Sequence, residues 1–170
     1  MRQGFDSVAK IIAGESQPNG HRGRDLRHAL GMQGYRGLWL LAGALLLCLP
    51  LLGDMPLRDA LRYDRAGLAS GQVWRLVSAH LVHLDPRHAL LNTAGLALLW
   101  VLFANLGTML SWSLAGALAL VCIDAGLWCL QPQLEWYVGA SGLLHGFMAA
   151  GTVWLLRRRE PIAWPMAVIF

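Results

Sequence analysis

Three long stretches of the chain carry no charged residue: Arg36 to Asp54, Arg87 to Asp124, and Glu135 to Arg157. A helix needs about 20 apolar residues to cross a hydrocarbon core, with roughly 17 as the lower limit. The first stretch sits at that limit and predicts one span, Gly37–Gly53, in which Pro50 falls where the helix is about to stop. The second stretch is too long for one span. Asn105-Leu106-Gly107 supplies a turn signal inside it, so it predicts two, His88–Asn105 and Met109–Leu130, the latter ended by Gln131-Pro132-Gln133. The third predicts a span over Trp136–Leu156, closed by Arg157-Arg158-Arg159. A last apolar run opens at Ile162 and reaches Phe170, too short to cross as a helix, and is expected to be the start of a fifth span. The predicted fold class is therefore all-α, a polytopic membrane helical bundle with four complete spans and the start of a fifth.

Two segments stand outside this pattern. Residues 1–36 hold Arg2, Lys10, Arg22, Arg24, Arg27 and Arg36 among Gly, Gln, Ser and Asn, with no lasting hydrophobic period. They read as a flexible basic tail, with a short amphipathic piece near Val8–Ile12. Residues 37–170 form the membrane domain. Within it, the segment 54–87 begins with alternating charges and continues as Gly67–Leu84, apolar but interrupted by Gly71, Trp74, Arg75, His80 and His83. That pattern is too polar to span and too apolar for a free loop, and it suits the membrane interface.

Composition agrees. The chain is 56% hydrophobic and 14% charged, against about 25% charged in soluble domains. The net charge of +4 does not indicate nucleic acid, because the basic residues flank the spans, as membrane topology requires. No cleavable signal peptide is evident, since the first apolar run comes too late. Cys48, Cys122 and Cys129 lie in or beside apolar runs and are expected as small core residues. With the N-terminus in the cytoplasm, nine of the fourteen Lys/Arg fall inside. The same parity brings the start of the second span and the start of the fourth to one side of the membrane.

Those two starts carry the polar groups. One reads His88-Ala89-Leu90-Leu91-Asn92 and the other Gly139-Ala140-Ser141-Gly142. Polar groups inside a membrane are costly, and a nucleophilic or ionisable one is a functional hypothesis by default. His88 and Asn92 are four apart and share a helix face. Two hydrogen-bond donors beside a serine are what an oxyanion hole requires. Ser141 near a helix N-terminus adds free N–H groups and a favourable dipole, and Gly139 and Gly142 leave room for a substrate backbone. Gly142 and Gly146 also form a G-x-x-x-G spacing suited to close helix packing, so Ser141 alone fits packing as well as catalysis. Taken singly, His80 and His83 read as structural, and Trp74 and Trp136 as interfacial belt residues. There is no H-E-x-x-H, no Cys-His metal spacing and no glycine-rich phosphate loop, so neither metal nor organic cofactor is expected.

Taken together, Trp74-Arg75, His83, His88-x-x-x-Asn92 and Gly139-Ala140-Ser141-Gly142 resemble the rhomboid family of intramembrane serine proteases over about residues 37–170. The resemblance implies a six-span bundle in which Ser141 is the nucleophile and His88 and Asn92 stabilise the oxyanion. The run Ser141-Gly142-Leu143-Leu144-His145-Gly146 is similar to the rhombosortase branch, with Gly139, Gly142 and His145 in the active-site pocket. That branch implies a bacterial inner-membrane enzyme. Its substrates would be membrane-anchored or secreted proteins with a Gly-Gly-containing C-terminal tail and a hydrophobic helix.

One element of the family pattern is missing. The base, a histidine on the sixth span, should lie roughly fifty residues beyond the serine, and the sequence from Ser141 to Phe170 holds none at that distance. Three readings are open: the chain is incomplete at its C-terminus, it is an inactive relative that binds membrane helices, or His145 serves as base. Asp124, in the outer half of the third span, is either a packing residue or the partner that orients His88 or His145.

Overall fold

The computed structural model describes residues 42–46, 48 and 55–168. The basic tail with its piece at Val8–Ile12 lies outside the described residues, as does most of the span expected at Gly37–Gly53. Positions 42–46 and 48 are helical. The described chain continues as α1 (Met55–Leu61), β1 (Tyr63–Asp64), α2 (Arg65–Ala69), α3 (Arg75–Ser78), α4 (Pro86–Phe103), α5 (Met109–Leu130), β2 (Trp136–Tyr137), α6 (Ser141–Arg157) and α7 (Ala163–Val168).

Local chemistry sets the helix ends. The Asp85 carboxylate accepts from the His88 N–H at 2.9 Å, and Pro86 fills the first helical position of α4. Thr108 caps α5 by accepting from the Ser111 N–H. At the other end of α5 the Arg65 guanidinium donates to the carbonyls of Leu127 (2.7 Å) and Gln131 (2.9 Å) and lies over the Trp128 ring. This cation satisfies last-turn carbonyls and complements the helix dipole. Helix α6 closes in a Schellman arrangement, with Glu160 N–H on the Leu155 carbonyl, Arg159 N–H on that of Leu156, and Arg159 left-handed at φ 56°.

Helices α4 and α6 run parallel, with α5 antiparallel to both. The order of contacts shows this. His88 meets Gly139, Leu144 meets Gly95, and Phe103 meets Gly151, while Ile123 meets Gly142 and Ala119 meets Gly146. Trp112 near the start of α5 stacks edge-on with Trp154 near the end of α6. At Gly146 an added Cβ would fall 2.4 Å from the Ala119 Cβ, so here the glycine sets the helix spacing. Gly146→Ala should therefore cost about 1–3 kcal/mol by overpacking. Gly126→Ala, with nothing within 4 Å of the new Cβ, should not lower the melting temperature in detergent, so the pair of measurements isolates the seam.

Helix α5 has a mean hydropathy of 1.9, and only 6% of its apolar window is buried. A core helix of a soluble protein would hide that surface. Instead Leu110, Leu114, Leu118 and Val121 are each at least 61% exposed. Among the described residues α5 alone is long and apolar enough to cross a membrane; α4 and α6, at 18 and 17 residues, fall short by composition or length. The cysteines do not occupy the core as expected. Cys48, Cys122 and Cys129 are all exposed, on surfaces that an apolar surrounding would tolerate as readily as a core.

The expected span from Trp136 also differs. Trp136 and Tyr137 are extended and pair antiparallel with β1, in register Tyr63↔Tyr137 and Asp64↔Trp136. The helix starts only at Ser141, because Gly139 at φ 120° cannot belong to it. The described residues are thus mostly helical with one short ribbon. The bundle has two unlike ends. Away from the ribbon the core is apolar, built from Phe103, Leu106, Leu155 and Ala163. Beside the ribbon the buried groups include Arg75, His80, His83, Asn92 and Asp124.

Candidate active site

The site assembles where the starts of α4 and α6 meet. Ser141 is the first residue of α6, partly exposed. Its cap position, Ala140, has no side chain able to accept a hydrogen bond, so the cap leaves the first N–H groups of α6 unengaged. Two residues earlier, Gly139 adopts φ 120°. A Cβ there would lie 2.8 Å from His88 Cε1, 3.0 Å from His88 Nε2 and 3.9 Å from Asn92 Nδ2. Only glycine accepts both that backbone angle and that approach. The His88 ring and the Asn92 amide therefore converge on the backbone just ahead of Ser141.

Asn92 is 5% exposed, and its Nδ2 has no hydrogen-bond partner among the described residues; neither has His88 Nδ1. A buried, unpaired amide donor costs about 1–3 kcal/mol, and beside Gly139 such a donor is available to a ligand atom.

The turn itself is held from both sides. The Gly139 N–H donates to the Ala79 carbonyl at 2.9 Å, and the Tyr137 hydroxyl donates to the Gly139 carbonyl at 2.8 Å. Gly142 packs against Ile123 and the Tyr137 hydroxyl. His145 is exposed, and its Nδ1–H donates to the Ser141 carbonyl oxygen at 2.7 Å. That nitrogen is thereby committed to the backbone and not to the serine hydroxyl.

Asp124 pairs with neither His88 nor His145, the two partners anticipated for it. Its Oδ1 faces His80 Nε2 at 3.2 Å, and both residues are buried. Taken singly, His80 and His83 read as structural, and only His83 entered the family pattern, yet both border the site. The His83 ring meets the His88 ring edge-on at 5.0 Å, and the His80 ring lies 5.7 Å from that of Tyr137. Tyr63, fully buried and opposite Tyr137 in the ribbon, has its phenol pushed above the ordinary value by burial; the nearby Arg65 opposes the rise and Asp124 adds to it.

Arg75 organises the approach to the site. Its guanidinium donates to Gln72 Oε1 (2.7 Å) and to the carbonyls of Asp59 (2.8 Å) and Arg62 (2.7 Å), joining α3 to α1. Trp74 donates its indole N–H to the Ala60 carbonyl, and Trp136 lies under the Arg62 guanidinium at 5.5 Å. Between these elements a recess of about 240 Å³ is lined by Arg58, Arg62, His83, Leu84, Trp136 and Val138. Val138 adjoins Gly139, so the recess opens beside the serine turn.

Comparison with protein families adds one decisive finding: the Rhomboid domain model matches residues 70–170, more than half the chain. The chain belongs to the rhomboid family. Searches of curated proteins and of solved structures gave no match. The matched region contains His88, Asn92, Gly139, Ser141, Gly142 and His145, and it begins between α2 and α3, so α1 and the ribbon strand β1 precede it. Rhomboid-family proteins are membrane-embedded and generally serine proteases acting on membrane protein substrates.

Proposed function

We propose that this rhomboid-family chain carries the nucleophile and oxyanion site of an intramembrane serine endopeptidase of the rhombosortase type. The observation that carries the reading is the convergence of His88 and the unpaired Asn92 amide on Gly139, two residues ahead of Ser141. Ser141 Oγ attacks the scissile carbonyl. The carbonyl oxygen gains negative charge within reach of Asn92 Nδ2, the His88 ring and the first N–H groups of α6. Donors already oriented there act strongly because water need not reorganise around the new charge. The serine proton passes to a general base, the role that the resemblance gives to a sixth-span histidine, and the base hands it to the departing amine. Water then repeats the sequence to release the acyl group.

The substrates are proteins tethered by a C-terminal hydrophobic helix, met at the outer side of a bacterial inner membrane, with the N-terminus of this chain in the cytoplasm. A Gly-Gly-containing cleavage segment is the one that the resemblance of Ser141-Gly142-Leu143-Leu144-His145-Gly146 to the rhombosortase branch implies.

The test uses the protein made from its complete reading frame, embedded in lipid and treated with a serine-directed phosphonate. Mass spectrometry should find the adduct on the peptide containing Ser141, and Ser141→Ala should abolish it while the protein still melts at the same temperature. A wild-type protein that never forms the adduct would make this an inactive relative that binds membrane helices.

A further inference from the structure

The buried pair His80–Asp124 has no part in the steps above. Buried charged pairs contribute little net stability, and well-packed apolar replacements often do as well. What the pair touches gives it a different role. The segment 79–83 has little regular structure, yet it reaches both halves of the oxyanion site. At one end the Ala79 carbonyl holds the Gly139 N–H at 2.9 Å, and at the other the His83 ring meets the His88 ring at 5.0 Å. His80 lies between these contacts, against the Tyr137 ring whose hydroxyl holds the Gly139 carbonyl. Its Nε2–H donates to Asp124 on α5, the helix against which Gly142 of α6 also packs through Ile123.

Resting on the protease reading, we infer that His80 and Asp124 are positioning residues: their hydrogen bond fixes segment 79–83 to α5 and so sets the Gly139 turn against His88 and Asn92. The pair touches neither substrate nor nucleophile. Its effect is on the fraction of time the donors and Ser141 hold the reactive geometry. A displacement of about 1 Å at such a distance can cost as much as a hundredfold in rate.

The experiment reads acylation of Ser141 by the phosphonate, separated into a maximal rate and a half-saturating concentration, together with amide exchange of Gly139 followed by ¹⁵N-glycine NMR in micelles. In Asp124→Ala and in His80→Ala the maximal rate should fall at least about tenfold with the half-saturating concentration unchanged, and Gly139 exchange should quicken by a similar factor. Asp124→Asn keeps an acceptor for His80 and should stay within about threefold of wild type, and the double alanine variant should be no worse than either single one, as for two ends of one bond. The doubly apolar His80→Leu/Asp124→Leu chain serves if the alanine variants do not fold: it should melt near the wild-type temperature and still acylate slowly. Wild-type acylation in a folded variant, losses that multiply in the double variant, or unchanged Gly139 protection would each overturn the inference. A wild-type chain that never acylates would sink the protease reading alone, and Gly139 exchange would still decide this one.

Discussion

Replacing Asn92 with alanine is expected to slow acylation of Ser141 by about 10²–10³, the usual loss on removing one oxyanion donor, without lowering the melting temperature appreciably. The two halves of this expectation have one origin. Asn92 is almost fully buried, and its Nδ2 finds no partner among the described residues. In the resting protein that donor is a liability of about 1–3 kcal/mol. Truncation removes it and leaves a small cavity, two effects of opposite sign and similar size. A residue whose loss harms reaction but not stability is one held for the reaction. The measurement pairs phosphonate acylation rates with thermal unfolding in the same detergent. A variant that loses both in parallel would mean that Asn92 is a packing residue with an unseen partner. Asn92→Asp is the sharper companion. It keeps the shape but replaces a donor with an acceptor that repels the developing oxyanion, and it should be slower than Asn92→Ala.

Much of this site was legible from residue type and spacing. The turn signal at Asn105-Leu106-Gly107 and the stop at Gln131-Pro132-Gln133 bounded α5 to the residue, because an apolar run with most of its surface exposed needs few tertiary contacts to set its length. Parity put the start of α4 and the start of α6 on one side of the membrane, and the i, i+4 spacing put His88 and Asn92 on one helix face; the structure turns that face to Gly139. What hydrophobic pattern could not give was the start of α6. Trp136 and Tyr137 are as apolar as the helix that follows, and only the pairing with Tyr63 and Asp64, some seventy positions earlier, makes them a strand. The partner of Asp124 was hidden for a related reason. His80 lies in a segment without periodicity, so no helical wheel could aim it, and the bond to α5 exists only once the ribbon has folded over the bundle. The exposed cysteines show the limit of reading burial from apolarity in a chain whose surroundings are themselves apolar.

Arg75 should prove the most demanding position outside the oxyanion site, and lysine should not replace it. The guanidinium is 9% exposed and uses its planar fork on three acceptors at once, Gln72 Oε1 and the carbonyls of Asp59 and Arg62. A Cβ at Gly67 would come within 2.7 Å of Arg75 Nε, so the side chain fills the space that this glycine leaves. Hydrogen bonds from a charged donor contribute about 1.5–3 kcal/mol each, and part of that is recovered where water can reach the freed carbonyls. With α1 half exposed, a net loss of about 3 kcal/mol is expected for Arg75→Ala. An ammonium is a single point with flexible donors, and it cannot span acceptors on both α1 and the turn before α3. Arg75→Lys should therefore lose nearly as much. If the loss were one of charge alone, lysine would restore stability. Because α1 and Arg62 line the recess beside the serine turn, the folded fraction of Arg75→Lys should also need a higher concentration of a peptide substrate for half-maximal cleavage, while its maximal rate changes less. Thermal unfolding and cleavage kinetics on the same preparations decide between a clamp that shapes the recess and a charge that merely sits at the interface.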